Sequence, residues 1–232
     1  MKKLHCHYVW LKRWVHLHSI IIYGGTFDPV HQGHVKTACN IQAHFHFDQF
    51  IFLPCKIPVL KRKAVATSQQ RIDMLRLALK NTPSEFSIDL SEIERSGPSY
   101  MVVTLEDFRN RFGSDAAITL LLGMDAFLDL PRWHEWQKIL TLANLLVINR
   151  PESGNSLPIL LENLLKKHET KDESMLLTNS HGYIVRYDAG NFNISSTFIR
   201  QQFARGETQD SYLSADVLNY ILKNQLYHNN SG

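Results

Sequence analysis

The sequence predicts an α/β protein, a single Rossmann-like doubly wound domain with a mostly parallel central sheet and a C-terminal helical part. Two observations carry that prediction. Short, continuously apolar runs recur along the chain, and the stretches between them place apolar residues at helical spacing. Strands that are apolar throughout are buried on both faces, as in a parallel sheet, and each needs a crossover helix to return beside its neighbour.

Ile20–Tyr23 reads as the first buried strand and Phe50–Leu53 as the second. Ala117–Leu122 and Leu145–Ile148 are two more, too short and too evenly apolar for amphipathic helices. Phe86–Leu90 and Tyr183–Tyr187 are shorter candidates. Between them, Thr67 and Gln70 form a capping box ahead of Ile72, Leu75 and Leu79. Val102, Leu105, Phe108 and Phe112 repeat at helical spacing, as do Val217, Leu218, Ile221 and Leu222 near the end. The Pro151–Pro158 stretch reads as a loop inside the domain, and no repeat or long linker interrupts the chain.

Composition narrows the function. The 232 residues are 44% hydrophobic and 20% charged, which suits one globular core. The net charge of +3 comes from the first 18 residues, where Lys2, Lys3, Lys12 and Arg13 meet no acid; the remainder has 21 basic against 22 acidic residues. The body is therefore not a nucleic-acid binder by charge. Residues 1–18 read as a basic extension of no assigned function, and 19–232 as the domain. Lys12 and Arg13 break the apolar stretch that a signal peptide would need, and the four histidines of this segment are weak evidence for metal. No apolar stretch approaches the ~20 residues of a membrane helix. Cys6, Cys39 and Cys55 have no metal-ligand spacing and cannot all pair, which points to a reducing, cytoplasmic setting.

The chemistry is concentrated in GGTFDPVHQGH, Gly24 to His34, directly behind the first strand. Ligands of doubly wound sheets bind beyond the carboxyl ends of the strands, where strand order reverses. Gly24 and Gly25 remove side chains where the backbone turns. Asp28, before Pro29, is pushed to an extended conformation, so a helix starts between Val30 and Gly33 with Val35, Ala38, Cys39 and Ala43 as its buried face. His31 and His34 then share its first turn, where unpaired N–H groups favour an anion, commonly phosphate. Read singly, the glycines are an ordinary turn and the histidines could be half a metal site, but no His-Glu-x-x-His pattern accompanies them. The G-x-G-x-x-G dinucleotide fingerprint is also absent, which disfavours a hydride-transfer enzyme.

A second stretch, Asn193-Ile-Ser-Ser-Thr-Phe-Ile-Arg200, follows the strand around Val185. Ser195, Ser196 and Thr197 are helix-capping residues whose hydroxyls can also meet phosphate. Arg200 sits one turn in, and helical side chains lean toward the N-terminus, so its guanidinium can reach the same anion.

Together the two stretches resemble the nucleotidyltransferases marked by H-x-G-H and a later I-S-S-T-x-x-R. The fuller resemblance, from about Ile20 to Tyr227, is to the bacterial nicotinate-nucleotide adenylyltransferase family. It includes Arg71 in Ser68-Gln-Gln-Arg71, Glu94-Arg-Ser-Gly-Pro-Ser-Tyr100, Gly123-Met-Asp125, Trp133-His-Glu-Trp136 and Asn149-Arg-Pro151. Two stretches depart from the family: Pro58-Val59-Leu60-Lys61 stands where Pro-Pro-His-Lys is usual, and Met101 where Thr is usual.

The resemblance implies transfer of AMP from ATP, with Mg²⁺, to nicotinate mononucleotide, giving nicotinate adenine dinucleotide and pyrophosphate. It implies catalytic roles for His31, His34 and Arg200. It places Gly24, Gly25, Thr26, Phe27, Gly33, Gly123, Asp125, Ser195, Ser196 and Thr197 against ATP, with no protein metal site. Lys61, Ser99, Tyr100, Met101 and Trp133 are placed against the mononucleotide. Trp133 could instead be an interface tryptophan packed on Pro131. Neither nucleic acid nor membrane is an expected partner, and a homo-oligomer is left open. Pantetheine-phosphate and nicotinamide-mononucleotide adenylyl transfer, and a non-catalytic nucleotide-binding module, are the alternatives.

Overall fold

A computed structural model of the chain describes residues 17–57, 60, 63–148, 157–190, 192, 194–207 and 211–228. Most of the basic amino-terminal segment, Lys61, Asn149–Pro151, residues 152–156 and Asn193 lie outside them.

The elements run β1 (Ser19–Gly25), α1 (Gln32–Phe45), β2 (Gln49–Pro54), α2 (Ser68–Leu79), β3 (Phe86–Ile88), α3 (Ser91–Glu94), α4 (Met101–Phe112), β4 (Ala117–Gly123), α5 (Met124–Leu128), α6 (Ile139–Leu142), β5 (Asn144–Ile148), α7 (Ile159–His168), α8 (Met175–Thr178), β6 (Ile184–Tyr187), α9 (Ser196–Ala204) and α10 (Ala215–Lys223). All six predicted strands form. They make one sheet in the order β3-β2-β1-β4-β5-β6, every neighbouring pair parallel. This is the doubly wound order that reverses between β1 and β4.

Alternation along β1 divides the core into two layers. Ile21 packs on one side with Ala38, Ile41 and Phe45 of α1 and with Ile199, Phe203, Val217 and Ile221 of α9 and α10. Ile20 and Ile22 face the other side, against Leu105 and Phe108 of α4, Phe127 of α5 and Leu161 of α7. At the amino-terminal end of the sheet, Arg109 donates to the carbonyls of Ala116 (2.7 Å), Leu142 (2.7 Å) and Ser180 (2.6 Å), tying three chain segments together away from the site.

Three expectations need correction. Helix α1 turns Thr37, Ala38, Ile41, Gln42 and Phe45 inward, whereas Ala43 is exposed and Val35 and Cys39 are half-buried. The larger Ile41 and Phe45 win the core side, because burying them removes more apolar surface than Ala43 could. Strand β3 stops at Ile88, two residues early, because Leu90 becomes the N-cap of α3. In α10, Leu222 is 43% exposed; Val217 and Ile221, four apart, hold the inward stripe.

Candidate active site

The carboxyl ends of β1 and β4 open into one cleft. Among the described residues, its walls include every expected site residue. They arrive from four places: the turn after β1, the start of α4, the turn after β4 with the following Trp133, and the start of α9. Lys61 lies outside the described residues; Leu60 and Lys63 from the same loop line the cleft.

The turn after β1 is organised by its glycines. A Cβ on Gly25 would sit 2.9 Å from the Phe27 ring, and one on Gly33 would sit 3.0 Å from His31 Nδ1. Glycine at 25 therefore lets Phe27, at φ 49°, tuck its ring beneath the turn, where it is 2% exposed. Glycine at 33 lets the His31 ring lie flat against the first turn of α1. The third position of H-x-G-H is empty because an imidazole fills the space. Gly24 is approached instead by Met101, whose Cε would be 3.2 Å from an added Cβ.

His31 is the N-cap of α1, not a residue of its first turn, and is 6% exposed. Its ring stacks on His34 at 3.7 Å, and its backbone N–H donates to His34 Nδ1 at 3.2 Å. The ring of His34 is also held edge-on by Phe27, at 5.2 Å between centroids. With Nδ1 accepting, neutral His34 carries its proton on Nε2 and is a hydrogen-bond donor there. The amides expected to receive an anion are partly used: Gln32 N–H goes to the Tyr212 carbonyl (2.8 Å) and His34 N–H to that of His31 (3.0 Å). The amides of this turn are thus partly engaged, while both imidazoles line the cleft.

Helix α9 meets that turn directly. Ser195 is its N-cap, accepting from Phe198 N–H at 3.2 Å. Ser196 Oγ donates to the Pro29 carbonyl at 2.9 Å. Arg200 Nη1 donates to the Asp28 carbonyl at 2.6 Å, and Nη2 to Thr197 Oγ1 at 3.2 Å. The two signature stretches, some 170 residues apart, are thus one construction, with the first amides of α9 and a guanidinium facing the same space as the histidines.

Sequence reasoning missed Asp28 as a side chain. It is 3% exposed; its Oδ2 accepts from Val65 N–H (2.7 Å), and its Oδ1 from Ala66 N–H (3.1 Å) and Tyr227 Oη (2.8 Å). Burial, with the Asp28 charge beside it, pushes the Tyr227 phenol far above its ordinary range, so it stays a donor. Only the Asp-Pro pair marked Asp28 in the sequence, and nothing local marked Tyr227. Arg71, 1% exposed, donates to the Thr26 carbonyl at 2.7 Å and braces the same turn from α2.

On the opposite wall, α4 starts at Met101 with Tyr100 as its N-cap. Ser99 Oγ accepts from the backbone N–H groups of Lys56 (3.1 Å) and Ile57 (3.4 Å) and donates to Glu92. The hydroxyl of Ser99 therefore holds the loop after β2, leaving the first backbone N–H groups of α4 and the Tyr100 side chain as what this helix start presents to the cleft. Glu92 is 3% exposed, and burial raises its carboxyl pKa against the opposing hydrogen bonds from Thr104 and Ser99 and the charge of Arg95. His134, also missed, stacks on Tyr100 at 4.3 Å, while Trp133 is half-buried on the same wall. At the end of β4, a Cβ on Gly123 would sit 2.7 Å from Asp125 Oδ1, so glycine admits that carboxylate to the switch point.

Comparison with known proteins identifies the family. A family model described as cytidylyltransferase-like matches residues 22–202. A relative from Legionella pneumophila (strain Paris), named "Probable nicotinate-nucleotide adenylyltransferase", is 48% identical over 212 residues, 91% of this chain and 100% of the relative. A relative of the same name from Methylococcus capsulatus is 36% identical over 206 residues, 89% of this chain and 98% of the relative. The solved Plasmodium falciparum nicotinic acid mononucleotide adenylyltransferase complexed with NaAD shares the fold, with a TM-score of 0.67 at 20% identity over 90% of this chain and 96% of that one. On the extent of these matches, the chain belongs to the nicotinate-nucleotide adenylyltransferase family of cytidylyltransferase-like proteins.

Proposed function

We propose that the cleft transfers AMP from ATP to nicotinate mononucleotide, giving nicotinate adenine dinucleotide and pyrophosphate in NAD biosynthesis, and that residues 19–232 carry the activity. One observation supports this most: the stacked His31–His34 pair and the start of α9 with Arg200 are joined across one cleft, with the start of α4 and Trp133 opposite.

In this reaction a phosphate oxygen of the mononucleotide forms a bond to the α-phosphorus of ATP, and the bond from that phosphorus to the bridging oxygen of the β-phosphate breaks. A phosphate monoester with a second pKa of about 6 is already largely anionic at pH 7, so no general base is required. What the protein must do is bring anions together and hold the charge that develops. His31 and His34 are assigned to the α-phosphate, with the backbone of Gly24, Gly25, Thr26 and Phe27 beside it. The amides and hydroxyls of Ser195, Ser196 and Thr197, with Arg200, are assigned to the β- and γ-phosphates. Gly123 and Asp125 are assigned to the rest of ATP. The start of α4 at Ser99, Tyr100 and Met101, with Trp133 and Lys61, is assigned to the mononucleotide.

Mg²⁺ is assigned to ATP as part of the substrate. Among the described residues no three His, Cys, Asp or Glu side chains gather into a metal site. Among the described residues no helix is long and apolar enough to cross a membrane; the cytoplasm is the location assigned to the enzyme.

The test is pyrophosphate release from ATP with nicotinate mononucleotide, nicotinamide mononucleotide or phosphopantetheine. Fastest turnover of nicotinate mononucleotide is expected. ATP binding without pyrophosphate release in any of the three would refute the assignment.

A further inference from the structure

Arg200 has an anion of its own close by. Its Nη1 lies 3.9 Å from Asp28 Oδ2, beyond hydrogen-bond distance, although the same nitrogen reaches the Asp28 backbone carbonyl at 2.6 Å. A carboxylate this buried and this near an arginine ordinarily draws it into a short, paired contact. Here the carboxylate already accepts three other hydrogen bonds, one on Oδ2 and two on Oδ1. Val65 N–H donates to Oδ2, while Ala66 N–H and Tyr227 Oη donate to Oδ1. Hydrogen bonds to an ionised carboxylate stabilise and spread its charge, which weakens its pull on a further cation.

Of those donors, Tyr227 is the one supplied from afar. It follows α10, 199 residues from Asp28, and is 7% exposed. Its backbone is left-handed, at φ 67°, in the turn that brings the chain back from the end of the helix. Its ring packs near Phe203 of α9, at 6.3 Å between centroids. The residue therefore touches both the carboxylate and the helix that carries Arg200.

We propose that Tyr227 is a positioning residue for the triphosphate of ATP: by donating to Asp28 Oδ1 it keeps Arg200 from closing onto that carboxylate and leaves the guanidinium for phosphate. This rests on the reading that Arg200 meets phosphates that AMP lacks. Without the phenol hydroxyl, Asp28 competes with ATP for Arg200, and ATP alone loses affinity.

A double-mutant cycle tests this, with dissociation constants for ATP and AMP measured on the native protein, Tyr227→Phe, Arg200→Ala and the double variant. Tyr227→Phe is expected to weaken ATP about tenfold, or about 1.4 kcal/mol, with AMP unchanged. In the Arg200→Ala background the same substitution is expected to change ATP binding no further. Equal weakening of ATP and AMP by Arg200→Ala would refute the placement of Arg200 itself. A selective loss in Arg200→Ala combined with native ATP binding in Tyr227→Phe would refute the role of Tyr227 alone, as would a Tyr227→Phe loss that persists without Arg200. Should Tyr227→Phe fail to fold, Val65→Pro removes the N–H donor on Oδ2 from a residue that is 65% exposed. It is expected to show the same ATP-selective loss, abolished by Arg200→Ala, and unchanged ATP binding in Val65→Pro would overturn the proposal.

Discussion

His31 and His34 face each other ring to ring, 3.7 Å between centroids and 28° between planes, while the His31 N–H holds His34 Nδ1. Two imidazoles so close resist being charged together, since each cation would be held against the other. The hydrogen bond to Nδ1 selects His34 for an Nε2–H donor in its neutral form.

His34→Ala is accordingly expected to lower kcat by ~10²-fold or more, the scale of losing one preorganised donor to developing negative charge. ATP affinity and the thermal midpoint should change little, because His34 is not a core residue. Near-native kcat in a folded His34→Ala protein would remove it from the transition state.

Gly33→Ala tests the geometry without deleting either imidazole. Its Cβ would arrive 3.0 Å from His31 Nδ1 and 3.4 Å from Phe192 Cβ, so the His31 ring must move off the helix. Alanine is otherwise the better helix former, so helix α1 itself should not suffer. The expected outcome is a fall in kcat of about tenfold or more with no loss of thermal stability. Native kcat would show that the closeness of His31 to the helix does not matter for the reaction.

The residues of the two signature stretches are the part of the site most legible in the sequence. The strands could be read because each buried run is continuous and short, and α2, α4 and α10 because their periodicity lasts several turns. Helices α3, α5, α6 and α8 span only four or five residues each, too few for any period to show. The buried face of α1 was misjudged for a related reason. Val35, Ala38, Cys39 and Ala43 form one stripe and Ala38, Ile41 and Phe45 another, and only the sheet decides between them. Asp28, Glu92 and Tyr227 could not be found locally because their partners come from other elements. The Asp28–Tyr227 bond spans 199 residues. His134 lies within Trp133-His-Glu-Trp136, yet its stacking on Tyr100 depends on the turn after β4 folding against the start of α4, which no local pattern shows.

Glu92 gives a prediction in pH. Burial raises its pKa in the folded protein above the ordinary 4.5, with Asp89 adding to the rise and Thr104, Ser99 and Arg95 opposing it. The folded state therefore binds the Glu92 proton more tightly than the unfolded state does. By linkage, the stability contributed by protonated Glu92 is complete below pH 4.5 and is lost as pH rises through the folded pKa. Glu92→Gln cannot titrate, so its stability relative to native should increase over that same rise. Denaturant midpoints of both proteins from pH 4 upward measure it; a difference that does not vary with pH would show that Glu92 does not titrate abnormally.

The start of α4 bears on which pyridine nucleotide is chosen. Nicotinate carries a carboxylate where nicotinamide carries a neutral amide, so discrimination requires donors with no competing acceptor. The Ser99 hydroxyl is engaged with Lys56, Ile57 and Glu92, and Met101 offers no hydroxyl, so the proposed donors to the carboxylate are the first backbone amides of α4 and the positive end of its dipole. Donors of that kind do not depend on the side chain at 101, which explains how Met can stand where the family usually has Thr. Met101→Thr should therefore leave the preference for nicotinate mononucleotide intact, at roughly tenfold or more in kcat/KM over the nicotinamide form, about 1.4 kcal/mol. Trp133, half-buried on the same wall, is the aromatic surface assigned to the pyridine ring. Trp133→Ala should raise KM for the mononucleotide several-fold, in line with the ~0.5–1.5 kcal/mol of an aromatic pair, and leave KM for ATP nearly unchanged. Equal turnover of the two mononucleotides by the native enzyme would overturn the carboxylate assignment. A Trp133→Ala effect confined to ATP would place the ring against the wrong substrate.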